Sequence, residues 1–437
     1  MIRTNVVRHR RHVDEYSRAR DSAPSFGPEG LHSCCMRGSK IMKHGCLMAT
    51  AIALSCVATG AMAQSAVTLY GIVDAGIGYT NNVKGGSLVQ ATSGKLGGNR
   101  WGLRGSEDLG RGLSAVFTLE SGFYVSNGTL GQGGREFGRQ AFVGVTKRDV
   151  GTLTLGRQYD PLADLVASYF ASGFWTPATH IGDNDNLNQS FRINNAVKFR
   201  SESFAGWRTD ALYGFSNQAA GSAAQGISNN RAWALAINYS AGPLSLGGGY
   251  MQLNHPNAAS NTSGAVGGAS TSNGDDYSTG FFYGLDGGVA RQRIAAGGGR
   301  YMWGPATVGI GISHVQLDYN DGAARKLTNY DVNLRYKPDV PWLIVADYTF
   351  TEGRATGLPD ASGADLKPTW HQVTLGLDYL VSKRTELYLT TGYQRALGDG
   401  STRVGTRYLP IAFMPTAGGA SSTATQVTVA GGLRHRF

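Results

Sequence analysis

The stretch Thr425-Gln-Val-Thr-Val-Ala-Gly-Gly-Leu-Arg-His-Arg-Phe437 decides the fold class. Val427, Val429, Leu433 and Phe437 fall on one face of a strand, and Gln426, Thr428, Arg434 and Arg436 fall on the other. Side chains alternate along a β-strand, so this segment has one apolar and one wet face up to an aromatic final residue. A barrel in a membrane needs such a strand to close against its first strand, because lipid offers no partner to an open sheet edge. The expectation is therefore a transmembrane β-barrel, with its last strand ending on Phe437.

Composition fits that expectation. Glycine supplies 63 of 437 residues, about twice the usual share. Charged residues make up only 16%, and tyrosine is abundant at 20 residues. No uninterrupted apolar run long enough for a membrane helix follows the N-terminal region. The N-terminus reads as export machinery. Met42-Lys43-His44 is a short basic start, 47–57 is apolar, and Ala61-Met62-Ala63 has the small-x-small form of a cleavage site. Residues 42–63 are thus expected to be a signal peptide cut after Ala63, with 1–41 a non-native or unstructured extension and 64–437 the barrel. All four cysteines, Cys34, Cys35, Cys46 and Cys56, precede the cut, so the exported chain is expected to carry no thiol. The exported part holds 31 basic and 26 acidic residues, a net charge of +5. That is too mild to indicate nucleic acid as a partner.

Seven tight-turn signals punctuate the remainder: 107–112, 147–151, 202–207, 240–243, 303–306, 337–342 and 380–385. They separate eight units of two strands each, which gives sixteen antiparallel strands with both ends on the short-turn side. An even count, with short periplasmic turns and long extracellular loops, is the outer-membrane pattern. Phe191, Ile193, Val197 and Phe199 alternate with Arg192, Asn194, Lys198 and Arg200. Tyr330, Val332, Leu334 and Tyr336 oppose Asn329, Asp331, Asn333 and Arg335. Trp342, Ile344, Tyr348 and Phe350 oppose Asp347, Thr349 and Thr351. The apolar sets are expected to face lipid and the polar sets a watery lumen, while 139–146 alternates poorly. Tyr70, Tyr79, Trp101, Trp207, Trp233, Tyr239, Trp303, Trp342, Trp370 and Tyr379 lie near strand ends, as interfacial aromatic girdles do.

The loops over 254–288 and 398–422 are polar and of low complexity, as mobile surface loops are. The loop over 159–190 differs. It begins Tyr159-Asp160-Pro161, can form a helix from Leu162 to Tyr169, and then carries Phe174, Trp175, Pro177, Asp183 and Asp185. Aromatic anchors and acids in one loop favour packing, and in a barrel the place to pack is the lumen.

Val67-Thr-Leu-Tyr-Gly-Ile-Val-Asp74, Asn99-Arg-Trp-Gly-Leu-Arg-Gly-Ser-Glu-Asp108, Arg139-Gln-Ala-Phe-Val-Gly144, Gly151-Thr-Leu-Thr-Leu-Gly-Arg-Gln-Tyr159 and Gly432-Leu-Arg-His-Arg-Phe437 together resemble the general, trimeric porins of Gram-negative bacteria, those of beta-proteobacteria in particular. The resemblance runs the length of the exported chain. It implies a homotrimer, a third extracellular loop folded into the channel, and passive diffusion of ions and small hydrophilic solutes. Lipopolysaccharide, outer-membrane lipid and the assembly machinery are the implied surroundings, with Leu433 and Phe437 in the C-terminal assembly signal. Carried over by position, Arg100, Arg139 and Arg192 are wall arginines of the pore constriction and Glu120 is the wall acid. Asp183 and Asp185 are the expected acids of the inward loop. Strand parity places Arg100 and Arg192 on the lumen side independently. Arg157 follows Leu153 and Leu155 outward, so it is assigned to the subunit interface. A selective porin for organic acids, phosphate or sugars remains the alternative within channels.

An enzyme is the rival from another class. His180, His255, His314, His371 and His435 show no metal spacing, and no G-x-S-x-G nucleophile turn or phosphate loop occurs. No cofactor is indicated. A receptor or adhesin barrel would need a plug or passenger, for which sixteen strands and their loops leave no length.

Overall fold

A computed structural model describes residues 66–219, 226–256, 258, 260–267, 277, 288–358, 365–400, 402–404 and 407–437. The expected extension, the signal segment, its cut site and all four cysteines lie outside the described residues, as does part of the loop over 254–288. The described residues form one closed antiparallel sheet of sixteen strands. They are β1 (Ala66–Val83), β2 (two segments, Gly86–Ser93 and Arg100–Gly110), β3 (Leu113–Gly122), β4 (Gln140–Lys147), β5 (Gly151–Gln158), β6 (Ile193–Ser201), β7 (Trp207–Gly214) and β8 (Arg231–Ala241). The second half comprises β9 (Leu244–Asn254), β10 (Val289–Trp303), β11 (Ala306–Tyr319), β12 (Ala324–Tyr336), β13 (Trp342–Thr356), β14 (Pro368–Leu380), β15 (Thr385–Gly398) and β16 (Thr425–Arg436). All seven expected short turns fall between the strands they were expected to join. No described helix is long and apolar enough to cross a membrane.

β1 closes the sheet against β16, from Ile72 opposite Arg436 to Thr80 opposite Thr428. Phe437 continues the ladder. Its N–H donates to Gly71 O and its carbonyl accepts from Gly71 N, both at 3.1 Å. Its ring occupies the space a side chain at position 71 would need. β1 also pairs with both segments of β2, the upper through 75–83 and the lower through 66–72. Between those segments, 94–99 folds inward, where Asp74 holds it. Asp74 Oδ2 accepts from Leu96 N at 2.8 Å and Gly97 N at 3.2 Å.

Alternation holds as read. Val429, Leu433, Tyr330, Val332, Trp342, Ile344 and Tyr348 are exposed, whereas Gln426, Thr428, Asn329, Asp331, Asn333, Asp347, Thr349 and Thr351 are buried. Greasy outside and polar inside is the reverse of a soluble barrel. The weak strand β4 resolves the same way: Val143 and Val145 face out and Phe142 turns in. Trp207 packs on Tyr239 and Trp342 on Tyr379 at the short-turn end, with ring centroids 4.8 and 4.7 Å apart. Two expected girdle members face inward instead. Tyr70 Oη donates to Glu120 at 2.9 Å, and Trp370 is buried with Nε1 donating to Ile411 O at 3.2 Å.

Two further expectations need correction. Ile193 is buried, not lipid-facing. Asn195 adopts φ +50° and the β5–β6 register slips beside it, so the parity inferred from 197–200 does not extend upstream. The loop over 398–422 is not wholly a loose surface loop either. Ile411, Ala412, Phe413, Met414 and Ala417 are buried, and the Phe413 and Met414 amides donate to Gln394 and Gln426 at 2.6 and 2.9 Å.

The loop after β5 packs inside the barrel. Asp160 caps a five-residue helix, α1 (Pro161–Leu165), its Oδ1 accepting from Leu162 N at 2.9 Å and Ala163 N at 3.1 Å. Short 3₁₀ turns follow, rather than a helix reaching Tyr169. Leu162, Val166, Tyr169, Phe170 and Trp175 are fully buried. Where they land, the inner wall is not polar: Ala234, Ala236, Met251, Ile294 and Val315 are buried in the same cluster. Glycines complete the socket. A Cβ at Gly247 would stand 2.8 Å from the Tyr169 ring, and at Gly309 2.7 Å from the Tyr169 carbonyl. At Gly311 it would intrude on Phe170, and at Gly376 on Trp175.

Gly311→Val is therefore expected to push the loop off the wall at an overpacking cost of about 1–3 kcal/mol. Single-channel conductance should rise while heat-resistant migration of the barrel persists. An unchanged conductance would show that Phe170 does not need that socket.

Candidate functional site: the arginine cavity beside the inward loop

Arg100 opens the lower segment of β2, Arg139 stands just before β4, and Arg192 just before β6. The wall brings these three ends together on one side of the lumen. Arg139 Nε donates to Glu120 Oε1 at 2.8 Å, and Glu120 Oε2 accepts from Tyr70 Oη at 2.9 Å. Arg139 Nη2 and Arg192 Nη2 both donate to Tyr159 Oη, at 2.7 and 3.0 Å. The Tyr159 ring lies 4.8 Å from the Arg192 guanidinium carbon and 5.9 Å from that of Arg139. Arg100 Nε donates to Gly98 O at 3.0 Å, on the segment that interrupts β2.

The three arginines border a cavity of about 340 Å³. Arg100, Arg139, Arg192 and Arg434 enter it from the wall, and Phe174, Asn188, Gln189 and Ser190 from the inward loop. Among the described residues its lining contains no carboxylate. Glu120 sits behind Arg139 and is buried.

The loop acids occupy other places than those expected. Asp183 does not face the arginines. Its two oxygens accept from Asn188 N and Ser190 N, both at 3.0 Å, and shape the loop's own return. Asp185, 1% exposed, ties the loop to the wall. It meets His180 Nδ1 at 2.7 Å, accepts from Asn329 Nδ2 at 3.2 Å and accepts from Ser313 Oγ. Asp331 stands 3.5 Å from His180 Nε2 on the other side and accepts from Ala171 N at 3.1 Å. The local reason is the two tight turns at 182–183 and 186, with φ +44° at Asp183 and +57° at Asn186. They curl both carboxylates away from the open lumen.

Arg157 is also reassigned. Gly156 takes φ +134°, and the register shifts before Gln158. Arg157 turns against its own subunit, with Nε donating to Gly138 O at 2.7 Å and Nη1 to Asn194 Oδ1. It is buried, so it is not an outward tie to a neighbour. Leu433 and Phe437 are exposed on the outer face, as their parity requires. Sequence reading missed Arg434 as a cavity residue and Tyr159 as the partner shared by two cavity arginines. Parity did place Arg434 on the wet face of β16.

Electrostatics follow from burial and pairing. Burial alone would lower the His180 pKa, but Asp185 and Asp331 raise it well above the usual 6.5. Burial would raise that of Asp185, but His180 holds it below 3.8. Burial, then the Asp185 charge, pushes Asp183 up to about 6. The stabilisation from a raised histidine is complete below 6.5 and fades as pH climbs through the raised value. That from a depressed aspartate is complete above 3.8 and fades as pH falls through the lowered value. The His180–Asp185 anchor is therefore strongest between these two limits. Asp185→Asn leaves His180 with Asp331 alone and is expected to weaken loop docking by about 3–5 kcal/mol. Amide exchange over 180–190 should then accelerate near pH 5, and exchange matching the unaltered protein would refute the anchor.

The Gram-negative porin family profile matches residues 49–399. An outer membrane porin protein of Bordetella pertussis is 37% identical over 235 residues, which span 48% of this chain and 60% of that relative. Outer membrane porin protein 32 of Delftia acidovorans is 28% identical over 397 residues, 89% of this chain and 98% of the relative. Among solved structures, the anion-selective porin from Comamonas acidovorans superposes with a TM-score of 0.66 at 23% identity, over 86% of this chain and 100% of that one. The trimer form of Vibrio cholerae OmpT gives 0.57 at 17% identity, covering 85% and 99%. The sixteen-stranded barrel, its lumen loop and a family match over most of the sequence agree: this chain belongs to the Gram-negative porins of the outer membrane.

Proposed function

We propose that the protein is a passive diffusion channel for ions and small hydrophilic solutes, with a preference for anions set by Arg100, Arg139 and Arg192. The observation that carries this is the cavity lining, which four guanidiniums enter and, among the described residues, no carboxylate does. Rings of fixed charge set ion preference in such pores. One unit charge about 7 Å away through water changes a passing ion's energy by roughly 0.6 kcal/mol. Three arginines acting together would favour an anion by about 1–2 kcal/mol, or about tenfold. With Asp183 and Asp185 turned into loop anchoring, these two acids do not offset that preference. Glu120, paired with Arg139 at 2.8 Å from behind the cavity, offsets part of it. The Comamonas structure, an anion-selective porin of the same fold, supports this reading.

An enzymatic reading finds no support in the His180 cluster. Ser313 Oγ donates to Asp185, not to the imidazole, so no hydroxyl is set up there for deprotonation. Both ring nitrogens face carboxylates. Homotrimeric assembly is part of the proposal, supported by the Vibrio trimer and by the outward-facing small residues of several strands. Lipopolysaccharide and the assembly machinery, reading Leu433 and Phe437, are the proposed partners outside the pore.

Reversal potentials across a planar bilayer under a potassium chloride gradient test the selectivity. The unaltered channel should favour chloride. Replacing Arg100 and Arg192 together with glutamine should cut that preference several-fold, more at low salt, where charges are less screened. A reversal potential unmoved by the double change would show that these residues do not line the narrowest point. Unheated detergent samples should migrate as trimers and boiled ones as monomers. A single-barrel mass in mild detergent would refute the trimer.

A further inference from the structure

We propose that Tyr159 is a positioning residue of the channel's charged region, its phenol oxygen clamping Arg139 and Arg192 side by side as one fixed cationic surface. This rests on the anion-channel reading above. Tyr159 is the first residue after β5, where the inward loop leaves the wall, and its side chain is buried. Its backbone carbonyl accepts from Lys198 Nζ at 2.9 Å, which fixes the residue from β6.

Two guanidiniums repel one another, and each has a long stem with many rotamers. Repulsion alone would drive them apart. A phenol oxygen has two acceptor positions, and here the Arg139 and Arg192 Nη2 atoms reach it at 2.7 and 3.0 Å. The negative face of the ring attracts both cations. Glu120 is engaged with Arg139 Nε on its far edge and with Tyr70. The arrangement is a chain: Tyr70, Glu120, Arg139, Tyr159, Arg192. These five residues come from β1, β3, the approach to β4, the loop's start and the loop's end. Tyr159 is the link that joins wall arginine to loop-end arginine through a neutral oxygen, which adds no charge of its own.

The same geometry gives the pair a chemical signature. Among the described residues, Arg139, Arg192, Glu120 and Arg100 are the charged groups that face the phenol. Burial pushes its pKa up, but Arg139 and Arg192 outweigh burial and bring it below the usual 10. As pH rises through that value the hydroxyl becomes a phenolate, and its negative charge offsets one of the two cations it holds. Anion preference should therefore fall at alkaline pH, with Tyr159 as one cause beside Lys95, whose ammonium pKa is brought down to about 8 by burial on the 94–99 segment.

The experiment compares reversal potentials of the unaltered channel, Tyr159→Phe, and the double variant Arg139→Gln with Arg192→Gln, at about pH 7 and about pH 10, the latter near the ordinary tyrosine value. Phenylalanine keeps the ring and its packing but lacks the oxygen, and heat-resistant migration reports that the barrel is folded. The double variant should lose most anion preference at neutral pH. If it does not, the anion reading fails, independently of Tyr159. Tyr159→Phe should lower the preference about two- to three-fold at neutral pH, as expected when fixed charges gain freedom to move away from the ion path. It should also shrink the alkaline decline seen in the unaltered channel, leaving only the part that Lys95 contributes. If the double variant responds but Tyr159→Phe lacks either of its two effects, the proposal is overturned.

Discussion

A peptide group without a partner in hydrocarbon costs several kcal/mol, and the ladder between β1 and β16 is how this chain avoids that cost. Every other strand finds both neighbours next to it in sequence. Only the first and last must find each other across the whole chain, with Val427 N reaching Asn81 Oδ1 over 346 positions. The mutual bonds of Phe437 with Gly71 finish that ladder at its short-turn end. Once the sheet is closed, strand parity sends each residue to lipid or to lumen. The wet interior, the girdle and the arginine wall all follow from that division.

Closure creates an interior, and the loop over 159–190 crosses it and is held there by two different means. Tyr169 and Phe170 fill one apolar socket on the wall and Trp175 a second, and Asp185, Asp331 and His180 lock the loop by buried charge. These contacts use up Asp183 and Asp185. The opposite wall presents Arg100, Arg139 and Arg192 to the cavity, with Glu120 buried behind Arg139.

The fold was readable because barrel architecture writes itself in period two and in turn residues. Seven turn signals and the alternation of Tyr330–Tyr336 and Trp342–Phe350 were enough for the strand count and the sidedness. Parity was lost where the backbone departs from regular strand, at Asn195 and Gly156, residue types that permit such a slip but occur in regular strands of this glycine-rich chain too often to announce one. Arg157 was misplaced for that reason. Arg100, Arg139 and Arg192 could be named because the family motifs carry them, with strand parity as independent support at Arg100 only. Asp183 and Asp185 could not be oriented, since left-handed turns inside an irregular loop decide where a carboxylate points. Tyr159 stood within the Gly151–Tyr159 motif, yet its role depends on two arginines distant in sequence, which no local pattern discloses.

The glycines beneath the loop bear on how such channels can diversify. Gly247, Gly309, Gly311 and Gly376 lie on three different strands, yet each is small because one aromatic segment rests against it. Loop and wall are thus a single inheritance. A loop transplanted from a relative would arrive without its footprint, and the footprint would be left as an unfilled hollow. Surface loops at the barrel's rim face no such restriction and are free to vary one at a time. Change in this channel should therefore be fast at the rim and concerted at the waist, where a new loop sequence can persist only alongside matching substitutions across the strands it touches.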